Sequence, residues 1–181
     1  MKLTAEYILR QYTQSGKRHL FITGDRGKGK STMFGKIYSL LCHNGQKLPG
    51  LTSYIVPKTA VVIKDNITGK AGMIGRYCPQ KATVGKTMVP DSDGFFTIGI
   101  PVLQKAAADE SKWVAIDEIG FLETAEPRFQ QAVRDVLKQK QVLAVVRKQQ
   151  KRQVEFLDEI IADPDAYVLD LDDFDTSEYW D

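Results

Sequence analysis

The sequence is poor in the residues from which metal centres and disulfide frameworks are built. It has two cysteines, Cys42 and Cys78, and two histidines, His19 and His43. None of them stands at the close spacing of a zinc-ligand pair, and the two cysteines are too few and too far apart to suggest a zinc site. Both cysteines therefore read as reduced structural residues. No apolar run approaches the roughly 20 residues of a membrane span, and the start, Met1 to Gln11, lacks a signal peptide's basic-then-apolar order. The expectation is a cytoplasmic protein without a membrane partner. No internal repeat or low-complexity stretch is present, which excludes a solenoid or a fibre.

What remains is the composition of an ordinary folded domain: 181 residues, 43% hydrophobic and 27% charged. This length buries a normal core, so one domain over 1–181 is expected. An N-terminal helix extension occupies 1–16 and an acidic C-terminal segment 154–181. The net charge of +2 conceals an asymmetry, because all 25 lysines and arginines precede Val154. A basic body attracts nucleic acid or polyphosphate, and an acidic end can screen that field by folding across it. No RNA-binding motif supports the nucleic-acid reading, and nothing in the pattern sets an oligomeric state.

Hydrophobic spacing orders the elements. Thr4 caps a helix that ends near Ser15-Gly16, and the short apolar run His19 to Thr23 reads as a buried parallel strand. Met33, Phe34, Ile37, Tyr38 and Leu41 recur at helical spacing until Asn44-Gly45, a left-handed stop. Ser53 to Val56, Ala60 to Lys64 and Ala71 to Ile74 form a small antiparallel meander. Pro79 to Gly94 reads as a loop over a site. A helix over Val102 to Glu110, the strand Trp113 to Ile116, a helix through Phe129 to Leu137 and the strand Val142 to Val146 follow. A helix around Val154 to Ile161 and the strand Tyr167 to Leu171 close the chain.

Between the first strand and the second helix stands Gly24-Asp25-Arg26-Gly27-Lys28-Gly29-Lys30-Ser31, which satisfies G-x-x-x-x-G-K-[ST] in the context that motif requires. Its glycines allow backbone N–H groups and the positive end of the helix to wrap a phosphate. Lys30 is placed for β- and γ-phosphates, Ser31 for the Mg²⁺ that bridges them, and Thr32 for an α-phosphate. Arg26 and Lys28 raise the local positive potential. As a mere packing turn, the segment would not need this lysine and serine.

A second segment, Trp113-Val114-Ala115-Ile116-Asp117-Glu118, is an apolar strand ending in two carboxylates, as in a Walker B motif. Asp117 is assigned to Mg²⁺ and Glu118 to the proton of an attacking water. Alone, the pair reads equally well as two solvated acids at a strand end. Gly120 permits a sharp turn, and Glu123 either orients a partner or caps the next turn. Arg147, directly after a strand, is placed to act on the γ-phosphate as a sensor or internal arginine finger. The run Arg147 to Arg152 is either a basic lid or a solvated face.

Gly24-x-x-Gly27-x-Gly29-Lys30-Ser31-Thr32 with Asp117-Glu118-Ile119-Gly120-x-x-Glu123 resembles the cancer-related nucleoside-triphosphatase family and its bacterial and archaeal relatives. The resemblance spans most of residues 18 to 150. It implies a RecA-like, mostly parallel α/β sheet flanked by helices, with the small meander inserted. It also implies slow, Mg²⁺-dependent hydrolysis of ATP, GTP and other nucleoside triphosphates, with Glu118 activating water. No Asn-Lys-x-Asp segment that would read guanine is present. Two other classes share the phosphate loop: a nucleotide or small-molecule kinase, and a triphosphate-gated module that binds RNA or a protein.

Overall fold

A run such as Leu20-Phe21-Ile22 is apolar on both faces and belongs in a sheet covered by helices on each side. The computed structural model, which describes residues 3–42, 45–79, 88–149 and 153–175, has that layering. The elements are α1 (Ala5–Ser15), β1 (His19–Thr23), α2 (Lys30–Leu41), β2 (Gly50–Val56), β3 (Ala60–Asp65), β4 (Ala71–Tyr77) and β5 (Met88–Pro90). A wide helical turn, Phe95–Gly99, then leads into α3 (Ile100–Ala108). The rest is β6 (Trp113–Ile119), α4 (Pro127–Gln139), β7 (Gln141–Val146), α5 (Glu155–Ile161) and β8 (Ala166–Asp170).

Among the described residues the strands make one eight-stranded sheet in the order β5-β4-β3-β2-β6-β7-β1-β8. The five strands β2, β6, β7, β1 and β8 run parallel, and β3, β4 and β5 add antiparallel pairings. The expected meander is therefore the outer half of the main sheet and not an insertion beside it. Its first strand pairs in parallel with β6, Thr52 opposite Asp117, a link with no local sequence signal. β7 lies between the phosphate-loop strand and the carboxylate strand, which is the RecA-like arrangement.

Alternation along the strands sorts the core into two layers. Leu20, Ile22, Ala115, Leu143 and Val145 pack with Met33, Phe34 and Ile37 of α2 and with Ile8 and Tyr12 of α1. Phe21, Val114, Ile116, Val142, Ala144 and Val146 pack with Leu103, Phe129, Val133, Val136 and Leu157 on the opposite face. Each fully buried aliphatic or aromatic side chain contributes roughly 1.5–3 kcal/mol, so either face alone anchors its helices firmly. Thr4 caps α1 by accepting from the Tyr7 N–H, and Gly16 ends it at φ 67°.

Three expectations change. The second helix stops at Leu41 with Cys42 extended, short of Gly45, and Asn44 lies outside the described residues. The stretch expected as one loop contains β5, whose three residues end in a proline, and Asp93-Gly94 already enter the helical turn. The third helix runs from Ile100 to Ala108 rather than from Val102 to Glu110.

Candidate active site at the carboxyl edge of the sheet

In a parallel sheet the ligand crevice lies beyond the carboxyl ends of the strands. Here β1, β6, β7 and β8 end at one edge and deliver the phosphate loop, Asp117-Glu118, Arg147-Lys148 and Asp170 there. The loop turns through Gly24, Gly27 and Gly29 at φ 137°, 84° and 82°, a region that side-chain-bearing residues rarely adopt. Gly29 stands at the N-cap of α2 with no side-chain cap, so the first-turn N–H groups stay open to an anion. A cavity of about 570 Å³ lies over this turn. Its walls include Gly24, Asp25, Arg26, Gly27, Gly29, Lys30, Ser31 and Thr32 from the loop, with Glu118 and Arg147 opposite.

Lys30 donates from Nζ to the carbonyls of Gly24 (2.9 Å) and Asp25 (2.8 Å). Burial holds its pKa below the ordinary lysine value, an effect opposed by the nearby Glu118 carboxylate. Ser31 donates from Oγ to Asp117 Oδ1 at 3.3 Å, joining two segments 86 residues apart in sequence. Asp117 is buried, and that burial pushes its carboxyl up to about 6. A hydroxyl and a buried carboxylate are hard oxygen donors, and a dication beside them would restore the ionised form. Among the described residues no group of three or more His, Cys, Asp and Glu could hold a metal, so phosphate and water oxygens would supply the other ligands, as suits Mg²⁺.

Glu118 Oε1 lies 3.3 Å from Arg147 Nε, and the Arg147 guanidinium sits 5.5 Å over the Phe121 ring. The Asp117–Glu118 backbone is held from outside the motif. Ser53 Oγ donates to the Asp117 carbonyl and accepts from the Glu118 N–H, each at 3.1 Å. Nothing in the sequence marks Ser53; its role follows from the parallel pairing of β2 with β6.

The Glu123 side chain turns inward onto the backbone of its own turn. It is 4% exposed, and its Oε2 accepts from the Gly120 N–H at 3.0 Å. A Cβ on residue 120 would stand 3.3 Å from both Glu118 Oε1 and Glu123 Oε2, so glycine leaves these two carboxylates their space. Burial, aided by the Glu118 charge, pushes the Glu123 carboxyl up to about 7. The unfolded chain thus loses this proton near 4.5 and the folded one near 7. The resulting stabilisation is complete below the lower value and is lost as pH rises through the upper. Glu123→Gln, which cannot ionise, is expected to match wild type at pH 4.5. By pH 8 it should be more stable by up to about 3 kcal/mol. Denaturant melts of both metal-free proteins across this range check the difference, and parallel curves would contradict it.

The described part of the basic run, Arg147 to Gln149, is tied to neighbouring acids. Lys148 Nζ donates to Asp170 Oδ2 (2.7 Å) and Asp172 Oδ2 (2.8 Å), bonds that raise its pKa. Gln149 Nε2 bonds Asp158 at 2.6 Å, and residues 150–152 lie outside the described set. Asp172 also accepts from the Asp25 N–H and lies 3.8 Å from Lys28 Nζ. The start of the acidic segment therefore folds onto the phosphate loop and ties its first turn to the end of β7. Residues 176–181 lie outside the described set. Asp172→Ala is expected to free the Asp25 N–H, to leave Lys148 bonded to Asp170 alone of the two carboxylates, and to cost about 1–3 kcal/mol of stability. Chemical denaturation checks this; an unchanged midpoint would mean that the tie is not a structural brace.

Residues 19–178 match the family model described as NTPase. The chain belongs to the NTPase family. It is 34% identical over 131 residues to the nucleoside-triphosphatase THEP1 of Methanosarcina acetivorans, covering 69% of this chain and 73% of that protein. It is 33% identical over 132 residues to the cancer-related nucleoside-triphosphatase homolog of Bos taurus, with 66% and 69% covered. Two solved structures share the fold. The crystal structure of THEP1 from Aquifex aeolicus superposes with a TM-score of 0.68 at 25% identity, covering 84% of this chain and 89% of that one. The solution structure of a human cancer-related nucleoside triphosphatase gives 0.67 at 26% identity, covering 84% and 88%. The sequence resemblance and the P-loop α/β fold thus stand for this member of the NTPase family. Among its described residues no helix is long and apolar enough to cross a membrane.

Proposed function

We propose that this chain is a Mg²⁺-dependent nucleoside-triphosphate phosphohydrolase of broad base tolerance. The observation that carries the reading is that Lys30, Ser31 and Glu118, drawn from two distant segments, line one phosphate-loop cavity, with Asp117 joined to it through Ser31. The names of the relatives, nucleoside-triphosphatases, agree with it.

In this reading the N–H groups of Gly27 to Thr32 and the start of α2 cradle the β- and γ-phosphates, with Lys30 against both. Ser31 and Asp117 would hold the Mg²⁺, which supplies charge neutralisation on the phosphate oxygens. Glu118 orients a water and accepts its proton while the water oxygen bonds to the γ-phosphorus. The bond from that phosphorus to the β,γ-bridging oxygen breaks, and its electron pair leaves with the diphosphate. Arg147, tethered to Glu118 and supported by Phe121, stands where negative charge gathers on the transferring group. Ser53 fixes the backbone from which both carboxylates project.

Phosphate release from ATP, GTP, CTP and UTP, with Mg²⁺ and with a chelator, tests the proposal. Release from all four, within about tenfold of one another and abolished by chelation, is expected, since no motif reads a single base. Release confined to one nucleotide would overturn the base tolerance, and release untouched by chelation would overturn the metal's role.

A further inference from the structure

Glu118 also lines a second cavity, about 320 Å³ in volume, beside the one over the phosphate loop. The two recesses share Ser31, Glu118, Phe121 and Arg147 as a common wall. The rest of the second one is different in kind: Asp117 and Glu123 line one part of it, and Ile55, Val61 and Leu122 give it an apolar side. Ile55 and Val61 are directly opposite across the β2–β3 ladder. Leu122 sits so close to β4 that a Cβ on Gly75 would be 2.8 Å from its Cδ1. The apolar wall thus runs across three strands, and Ile55 is left 60% exposed at its rim.

A site that delivers only water has no use for this lining. The volume falls at the lower end of the roughly 300–1,000 Å³ range of small-molecule sites, and apolar walls with a few convergent polar groups are what such sites present. We propose that this cavity is an acceptor site for a nucleoside, making the protein a phosphotransferase as well as a hydrolase. The proposal rests on the triphosphate reading of the neighbouring cavity. A neutral acceptor suits these walls, because Asp117 and Glu118 present carboxylates that would repel an anion and Arg147 is already paired with Glu118. The Phe121 ring, with the Arg147 guanidinium 5.5 Å from its centre, gives a planar base an aromatic surface to lie against. A primary hydroxyl on the sugar then reaches Glu118, which is common to both cavities.

In the transfer step the acceptor hydroxyl oxygen bonds to the γ-phosphorus of the nucleoside triphosphate. The bond from that phosphorus to the β,γ-bridging oxygen breaks, the electron pair leaves with the diphosphate, and the hydroxyl proton passes to the Glu118 carboxylate. Occupancy of the cavity displaces the competing water, so transfer replaces hydrolysis when acceptor is bound.

The test incubates the protein and Mg²⁺-ATP with adenosine, guanosine, cytidine, uridine or thymidine. Nucleoside monophosphate and free phosphate are measured in the same tubes, beside an Ile55→Glu variant. Monophosphate from at least one nucleoside is expected. Ile55→Glu, a change at an exposed rim, should cut it by at least about tenfold while leaving acceptor-free phosphate release within about twofold. Normal phosphate release with no monophosphate from any nucleoside would overturn the proposal and leave the hydrolase reading standing. Monophosphate formation that ignores Ile55→Glu would overturn the assignment of this cavity. Neither product in any tube would overturn both readings together.

Discussion

Glu118→Gln is expected to bind nucleoside triphosphate as tightly as wild type and to release phosphate about 10²–10⁴-fold more slowly, the range over which a positioned general base acts. The amide keeps the shape of the carboxylate, and its oxygen can still accept from Arg147, which now lies 3.3 Å away. The Ser53 bonds to the Asp117–Glu118 backbone do not involve the side chain and persist. What disappears is the ability to take a proton from the attacking water. A negative charge beside the γ-phosphate disappears with it, so affinity should hold or improve slightly. Fluorescent-nucleotide binding and phosphate release, measured on the same preparation, separate the two effects. A proportionate loss of both would make Glu118 a structural residue.

Lys30→Ala is expected to fail in the opposite way. The Nζ of Lys30 sits 2.9 and 2.8 Å from the Gly24 and Asp25 carbonyls, folded over the loop that its charge would serve. Hydrogen bonds to charged groups contribute about 1.5–3 kcal/mol each. Loss of contacts to two phosphates should therefore weaken triphosphate binding by about 10²–10⁴-fold. The freed carbonyls lie at a loop facing a cavity and can turn to water, so stability should change by less than about 1 kcal/mol. Titration with a fluorescent triphosphate analogue and a denaturant melt check the pair. Unchanged affinity would remove Lys30 from the site.

The elements that carry chemistry were legible because each combines a local signal with its context. A strand, a glycine turn and an amphipathic helix follow one another at His19 to Leu41, and an apolar strand ends on acids at Asp117-Glu118. The outer strands were legible as strands, but their union with the main sheet depends on β2 running beside β6, a pairing between residues far apart in sequence. The same pairing explains why Ser53 went unread: a serine in a strand carries no mark until its neighbour is known. β5 is three residues long and ends in Pro90, too short for a periodic pattern. Asp172 is one of many acids in the C-terminal segment, and no local signal singles it out. The short turn after β8 is what sets it against Lys148 and the Asp25 N–H. Glu123 was noticed by its position in the motif, whereas its burial depends on helix and sheet closing over it.

In the proposed mechanism one cavity binds the triphosphate while Glu118 performs the chemistry on it. The most direct test is a single turnover of pre-bound Mg²⁺-ATP, timed by phosphate release, in wild type and in Glu118→Gln. The account predicts one equivalent of phosphate from each, arriving at least about 10²-fold later in the variant, with the nucleotide held on the protein until then. Equal rates in the two proteins would contradict it.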